Sequence, residues 1–179
     1  MDRRIILKSL LWGPILGQLA SHAAIAGSHD MTVAPMEDDR FWSLIELIQG
    51  DGWNDERTDL QPLTDALATY PPRDIEAFYE TLARKLYALD TRAHYRRFAS
   101  SPGLSDTFLY TRLAVVAQGK AHYDKVINDP SAFPKRSADW LEGLLYAAPD
   151  AYATATGTEL EYLTSVDFES FSNSAGWAQ

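Results

Sequence analysis

Residues 73–89, RDIEAFYETLARKLYAL, decide the fold class. Ile75, Phe78, Tyr79, Leu82, Leu86 and Leu89 recur at the three- and four-residue spacing that gathers on one face of an α-helix. Asp74, Glu76, Glu80, Arg84 and Lys85 fall outside that stripe, and Glu80 precedes Arg84 by one turn, the favourable order for a helical ion pair. The spacing predicts a helix with one apolar face, which other elements must cover.

The same period recurs on both sides. Upstream, Phe41, Trp42, Leu44, Ile45, Leu47 and Ile48 follow Asp38 and Asp39, acids suited to a helix start, and Gly50-Asp51-Gly52 stops the pattern. Leu60, Leu63, Ala66, Leu67 and Tyr70 share a face, with Asp59 as expected N-cap, Pro62 in the first turn and Pro71-Pro72 as terminator. Downstream, Thr91 to Phe98 reads as a short helix broken by Ser100-Ser101-Pro102-Gly103. Ser105 is then expected to cap a helix running to Gln118, with Gly119 as its stop. Lys120 to Ile127 and Ala138 to Ala147 complete the set, and residues 170–179 are expected to form a flexible tail. No segment alternates with period two between turn signals, so the expected fold is all-α, a compact bundle of about six to seven helices.

Composition narrows the function classes. The 179 residues fit one domain of ordinary size, and 46% hydrophobic content is enough to build a core. The absence of cysteine excludes disulfides, thiolate metal sites and cysteine nucleophiles. With 25 acidic against 16 basic residues the formal charge is −9, which repels phosphate backbones and argues against nucleic acid as a partner.

Residues 1–26 read as a signal peptide: Arg3, Arg4 and Lys8 near the start, an apolar stretch from Ser9 to Ile25, and the small residues Ala24 and Ala26 before the expected cleavage point. Gly13, Pro14, Gly17, Gln18, Ser21 and His22 interrupt the stretch, so it makes a poor permanent span, which needs about 20 apolar residues. Arg3-Arg4-Ile5-Ile6-Leu7-Lys8 resembles the twin-arginine export motif. Cleavage leaves 13 basic against 24 acidic residues, a formal charge of −11 on a domain expected in the periplasm. Residues 27–36 are expected to be a flexible start and 37–169 the single domain. Translation from Met31 or Met36 would instead leave the protein in the cytoplasm.

The stretch from Glu37 to Pro134 resembles the bacterial family known as domain of unknown function 4240. The resemblance rests on Arg40-Phe41-Trp42-Ser43-Leu44-Ile45-Glu46, on Ile75-Glu76-Ala77-Phe78, on Ser105-Asp106-Thr107-Phe108-Leu109-Tyr110-Thr111-Arg112, and on Gln118-Gly119 and Asp129-Pro130. The chain departs from the family's pattern at Thr107, where a second acid is usual, and over Thr91–Phe98, where a tryptophan-rich stretch is usual. The resemblance implies a helical domain and carries no activity with it.

Candidate binding residues are Ser105, Asp106 and Arg112, with Arg96 and Arg97 from the basic run Arg92–Arg97, together suggesting a patch for an anionic group. Plain structural roles compete with this: a cap, a dipole partner and an internally paired arginine. Trp53, in a Gly-Asp turn, is a candidate interface aromatic. No H-E-x-x-H, EF-hand series, G-x-S-x-G, P-loop or G-x-G-x-x-G occurs, so no catalytic residue, metal or cofactor is expected. The reading that follows is an exported acidic binding protein, a periplasmic immunity protein that neutralises a basic toxin by protein–protein contact. A periplasmic hydrolase using Asp106 and Arg112, or a cytoplasmic regulatory domain, are the alternatives.

Overall fold

The computed structural model describes residues 33–48, 56–99, 104–136 and 140–178. The signal peptide expected at 1–26 and the candidate Trp53 lie outside the described residues. Among the described residues the fold is all-helical, with eight α-helices and no strand. They are α1 (Asp38–Ile45), α2 (Glu56–Ala68), α3 (Pro72–Leu89), α4 (Arg92–Phe98), α5 (Ser105–Ala117), α6 (Lys120–Asn128), α7 (Leu144–Thr156) and α8 (Ser174–Trp177), with a 3-10 turn at Pro130–Ala132.

Helix α3 is the axis of the domain, and its apolar stripe is where the periodicity puts it: Ile75, Phe78, Leu82, Leu86 and Leu89 are buried. Pro72 occupies its first turn, where a missing N–H costs nothing. The chain enters against α3 through Met36, whose N–H reaches Oγ1 of Thr81 at 2.7 Å. Phe41 then stacks on Phe78 with ring centres 5.0 Å apart, and Trp42 lies 5.3 Å from Tyr123 of α6. Helices α2 and α7 lie against each other, and the small buried residues Ala147, Ala148 and Ala151 let their backbones approach.

Several boundaries differ from the expected ones, among them the end of α1, at Ile45 rather than Ile48, and the start of α7, at Leu144 rather than Ala138. Helix α2 begins at Glu56, so Asp59 is interior rather than an N-cap and Pro62 sits mid-helix. Helix α7 runs through Pro149 to Thr156, and Gly157, with φ 74°, ends it in the left-handed conformation. Burial of Ala148 and Ala151 on either side of the proline supplies the packing that outweighs the lost hydrogen bond. Helix α5 is capped by Leu104, without a side-chain bond, so Ser105 is its first residue and not its cap.

The largest departure is the C-terminal segment. Residues 170–178, expected to be loose, are held against α3–α5 as part of a strap that runs from Thr158 to Ala178. Two carboxylates, Glu80 of α3 and Asp90 at its C-cap, are fully buried and anchor it. Glu80 was expected on the solvated face. Instead it accepts from Nε of Arg84 at 2.6 Å, the N–H of Ser165 at 2.8 Å and the hydroxyl of Tyr162 at 3.0 Å, and also from the hydroxyl of Ser165. Asp90 accepts from the N–H groups of Phe171 and Asn173 and from the indole of Trp177, each at 3.0 Å. Buried carboxylates persist only with such partners, and here most come from the strap.

Candidate functional site

The sequence candidates do not form one patch. Arg112 is enclosed, at 0% exposure. Its Nη1 donates to the carbonyl of Leu86 at 2.9 Å and its Nη2 to Oγ of Ser170 at 2.9 Å, with the guanidinium 4.9 Å from the centre of the Phe108 ring. Burial brings its pKa down to about 10, against the opposing pull of Asp90, Glu169 and Asp167. The expected binding arginine is therefore an internal brace: it joins α3, α5 and the strap and presents no face to a ligand. The i, i+3, i+4 pattern around it carried that signal, since Phe108, Leu109 and Thr111, one to four residues away, are buried as well.

Ser170 links Arg112 to the start of α5, because its hydroxyl donates to the carbonyl of Ser105 at 2.6 Å. The Ser105 hydroxyl donates to Oδ1 of Asp106 at 2.9 Å, and both residues are exposed. Arg96 and Arg97 lie elsewhere, on α4. Arg97 gives its Nε to the carbonyl of Ser131 at 2.7 Å, and no bond among the described residues joins either arginine to Ser105, Asp106 or Arg112.

His94, from the same basic run, is a core residue. Its Nε2 lies 3.1 Å from the carbonyl of Val126 and its Nδ1 lies 2.8 Å from the Thr91 hydroxyl, an arrangement that suits the neutral ring with its proton on Nε2. Burial lowers its pKa, with the Val126 carbonyl opposing and the Arg112 charge adding to the shift.

Asp106 instead belongs to a second surface, built from α5 and the chain entering α7. On the next turn of α5 stands Tyr110, whose carbonyl accepts the N–H of Leu141 at 3.1 Å and so fixes the chain entering α7. Trp140, 53% exposed, stacks against the Tyr110 ring at 5.6 Å. Tyr146, 52% exposed, reaches Oε1 of Glu142 at 3.5 Å. Partial burial raises the pKa of the Tyr110 phenol, and the charges of Glu142 and Asp106 raise it further, as expected where acids crowd one aromatic cluster. Beyond Tyr146 the surface runs into a groove of about 470 Å³ between α2 and α7, bordered by Arg57, Gln61, Thr64 and Asp150. The exposure of Trp140 and Tyr146 is not legible in the sequence, because it is settled by which neighbours cover an aromatic and not by its own spacing.

Among the described residues no group of three or more histidine, aspartate or glutamate side chains could hold a metal ion. No helix of the described residues is long and apolar enough to cross a membrane. What the Asp106–Tyr146 surface can do chemically is bind: amphipathic rings supply contact area and the flanking carboxylates supply negative charge.

No curated protein and no solved structure matches the chain. The model of the family described as "Protein of unknown function (DUF4240)" matches residues 36–154. That span holds α1 to α7 nearly complete, with Glu80, Asp90 and Arg112 inside it and the strap that binds them beyond it. By that match, which covers more than half of its length, the chain belongs to the DUF4240 family.

Proposed function

We propose that this is an exported acidic binding protein, a periplasmic immunity protein that occludes a basic toxin delivered by neighbouring cells. The observation that carries the reading is Trp140, half exposed, stacked on Tyr110 and flanked by Glu142, Tyr146 and Asp106. Exposed aromatics ringed by acids concentrate binding energy at interfaces with cationic partners, whose encounter is accelerated by opposite charge. The net charge of −11 after removal of residues 1–26 supports the same kind of partner. Export supports the role, since an antidote must share the compartment of its toxin.

The test is genetic. Cells deleted for the reading frame are grown beside toxin-bearing kin and complemented with the wild type or with Trp140→Ala. The expected result is killing of the deletion strain, rescue by the wild type, and loss of rescue by Trp140→Ala expressed at the same level. Survival of the deletion strain overturns the reading. Mass spectrometry of the native N-terminus checks the export step, with Gly27 expected as the first residue of the mature protein.

A further inference from the structure

Helix α4 carries a second feature, independent of the aromatic surface. A groove of about 470 Å³ opens beside it, floored by Ala88, Ala93, Ile127 and Pro130 and lined by Arg92 and Arg96. That volume is within the range of about 300–1,000 Å³ typical of small-molecule sites. Arg92 and Arg96 are one helical turn apart, an arrangement of like charges that disfavours a helix unless a counter-charge intervenes.

No carboxylate among the described residues supplies it. Arg92 directs Nε and Nη2 to the carbonyl of Trp177, at 3.0 and 2.6 Å. The Arg96 side chain makes no hydrogen bond or ion pair among the described residues, in a chain that has more acids than bases to offer it. Asp129, beside the groove, is engaged by the N–H of Ser131 at 3.0 Å. The N–H of Arg136 bonds to the carbonyl of Phe98 at 3.1 Å, which brings the exposed Lys135 and Arg136 to the end of the same helix. Five cations, Arg92, Arg96, Arg97, Lys135 and Arg136, therefore collect on and beside α4 without an ion pair among the described residues.

We propose that this groove binds a small organic oxyanion, a phosphomonoester or a dicarboxylate, with Arg96 as the principal contact and Arg92 as the second. The planar guanidinium fork of Arg96 matches two oxygens of either group, and the alanine, isoleucine and proline floor accommodates the carbon portion. Arg92, pinned to Trp177, is held in place for binding and loses little freedom when the ligand arrives.

The full chain is titrated calorimetrically with phenyl phosphate, with succinate and with anionic phospholipid vesicles, each against sodium chloride at equal ionic strength, with Arg96→Ala and Arg96→Lys run alongside. The expected result is saturable binding absent from the chloride control, weakened about ten- to a hundredfold in Arg96→Ala and less in Arg96→Lys, which keeps the charge without the fork. An unchanged circular dichroism spectrum and melting curve show that Arg96→Ala is folded. Heats equal to the chloride control, or equal affinity in Arg96→Ala, overturn the proposal. So does binding seen only with anionic phospholipid vesicles. Because Trp140 plays no part in this groove, failure here leaves the toxin-binding reading standing, and the reverse.

Discussion

The indole Nε1 of Trp177 donates to Oδ1 of Asp90 at 3.0 Å, a bond between residues 87 apart in the chain. It closes the strap over the C-terminal end of α3, where Asp90 also receives the N–H groups of Phe171 and Asn173. Phe171 is held at φ 77°, a conformation that bulky residues rarely adopt, with its ring 4.9 Å from that of Trp177. The strap is thus clamped by a buried carboxylate and strained at the clamp.

Asp90→Ala removes both acceptor oxygens of the carboxylate and leaves the Phe171 N–H, the Asn173 N–H and the Trp177 indole without a partner. The expected loss of stability is about 2–4 kcal/mol in urea denaturation, the order set by orphaning buried donors. Chymotrypsin is expected to cut at Phe171 and Trp177 in the variant while the rest of the domain stays resistant. Wild-type resistance at those two sites would show that the strap holds without Asp90.

Gly176 is constrained by space. A Cβ built there would lie 2.9 Å from Cγ2 of Thr91 and 3.0 Å from the carbonyl oxygen of Asp90. Gly176→Ala is expected to push α8 away and destabilise the chain by about 1–3 kcal/mol. Adding Thr91→Ser, which keeps the hydroxyl that caps α4 and deletes the clashing methyl, should restore part of that loss. Strictly additive effects of the two substitutions would refute the contact.

Arg112 is the brace between α3 and the strap, and a side chain of similar length without its donors cannot replace it. Arg112→Met removes the donors to the Leu86 carbonyl and to Oγ of Ser170, for an expected loss of about 1–3 kcal/mol by thermal or urea unfolding. A variant as stable as the wild type would mean that the cation contributes nothing net.

Glu80 makes strap anchoring depend on acid. Burial by itself would raise its pKa, but the bonds from Ser165, Arg84 and Tyr162 favour the carboxylate more strongly and hold the pKa below its ordinary 4.5. Because the folded value is the lower one, the unfolded chain binds more protons on acidification. The stabilisation is complete above about pH 4.5 and is lost as pH falls through the folded value. Glu80→Gln is expected to be less stable at neutral pH and to show a shallower decline below that point. Parallel wild-type and variant curves from pH 5 to 3 would disprove the linkage.

His94 acts in a higher window. Its folded pKa lies below the ordinary 6.5 because burial disfavours the imidazolium, so stability falls as pH drops through 6.5 and the unfolded chain takes up the proton. His122, shifted in the same direction by burial and by Lys125, contributes alongside it. His94→Gln should flatten the stability curve between about pH 6.5 and 5, leaving the His122 share. A slope as steep as in the wild type would sink the assignment.

The periodicity of 73–89 was enough to determine an all-helical fold, because an apolar stripe at helical spacing is a local property that any covering partner satisfies. The family resemblance was legible for a similar reason, since its motifs are short and contiguous. Only the tertiary structure decided where the charges go. Glu80 reads as a solvated acid and Arg112 as a binding arginine until residues 162–170 arrive to satisfy them, and the bonds that do so span 58 to 85 residues. The same holds for Pro149, which α7 runs through because Ala148 and Ala151 are buried beside it, and for Trp140, which its neighbours leave half uncovered. A charged or aromatic side chain takes its environment from groups distant in sequence, and the energy that buries or exposes it is not written in its neighbours along the chain.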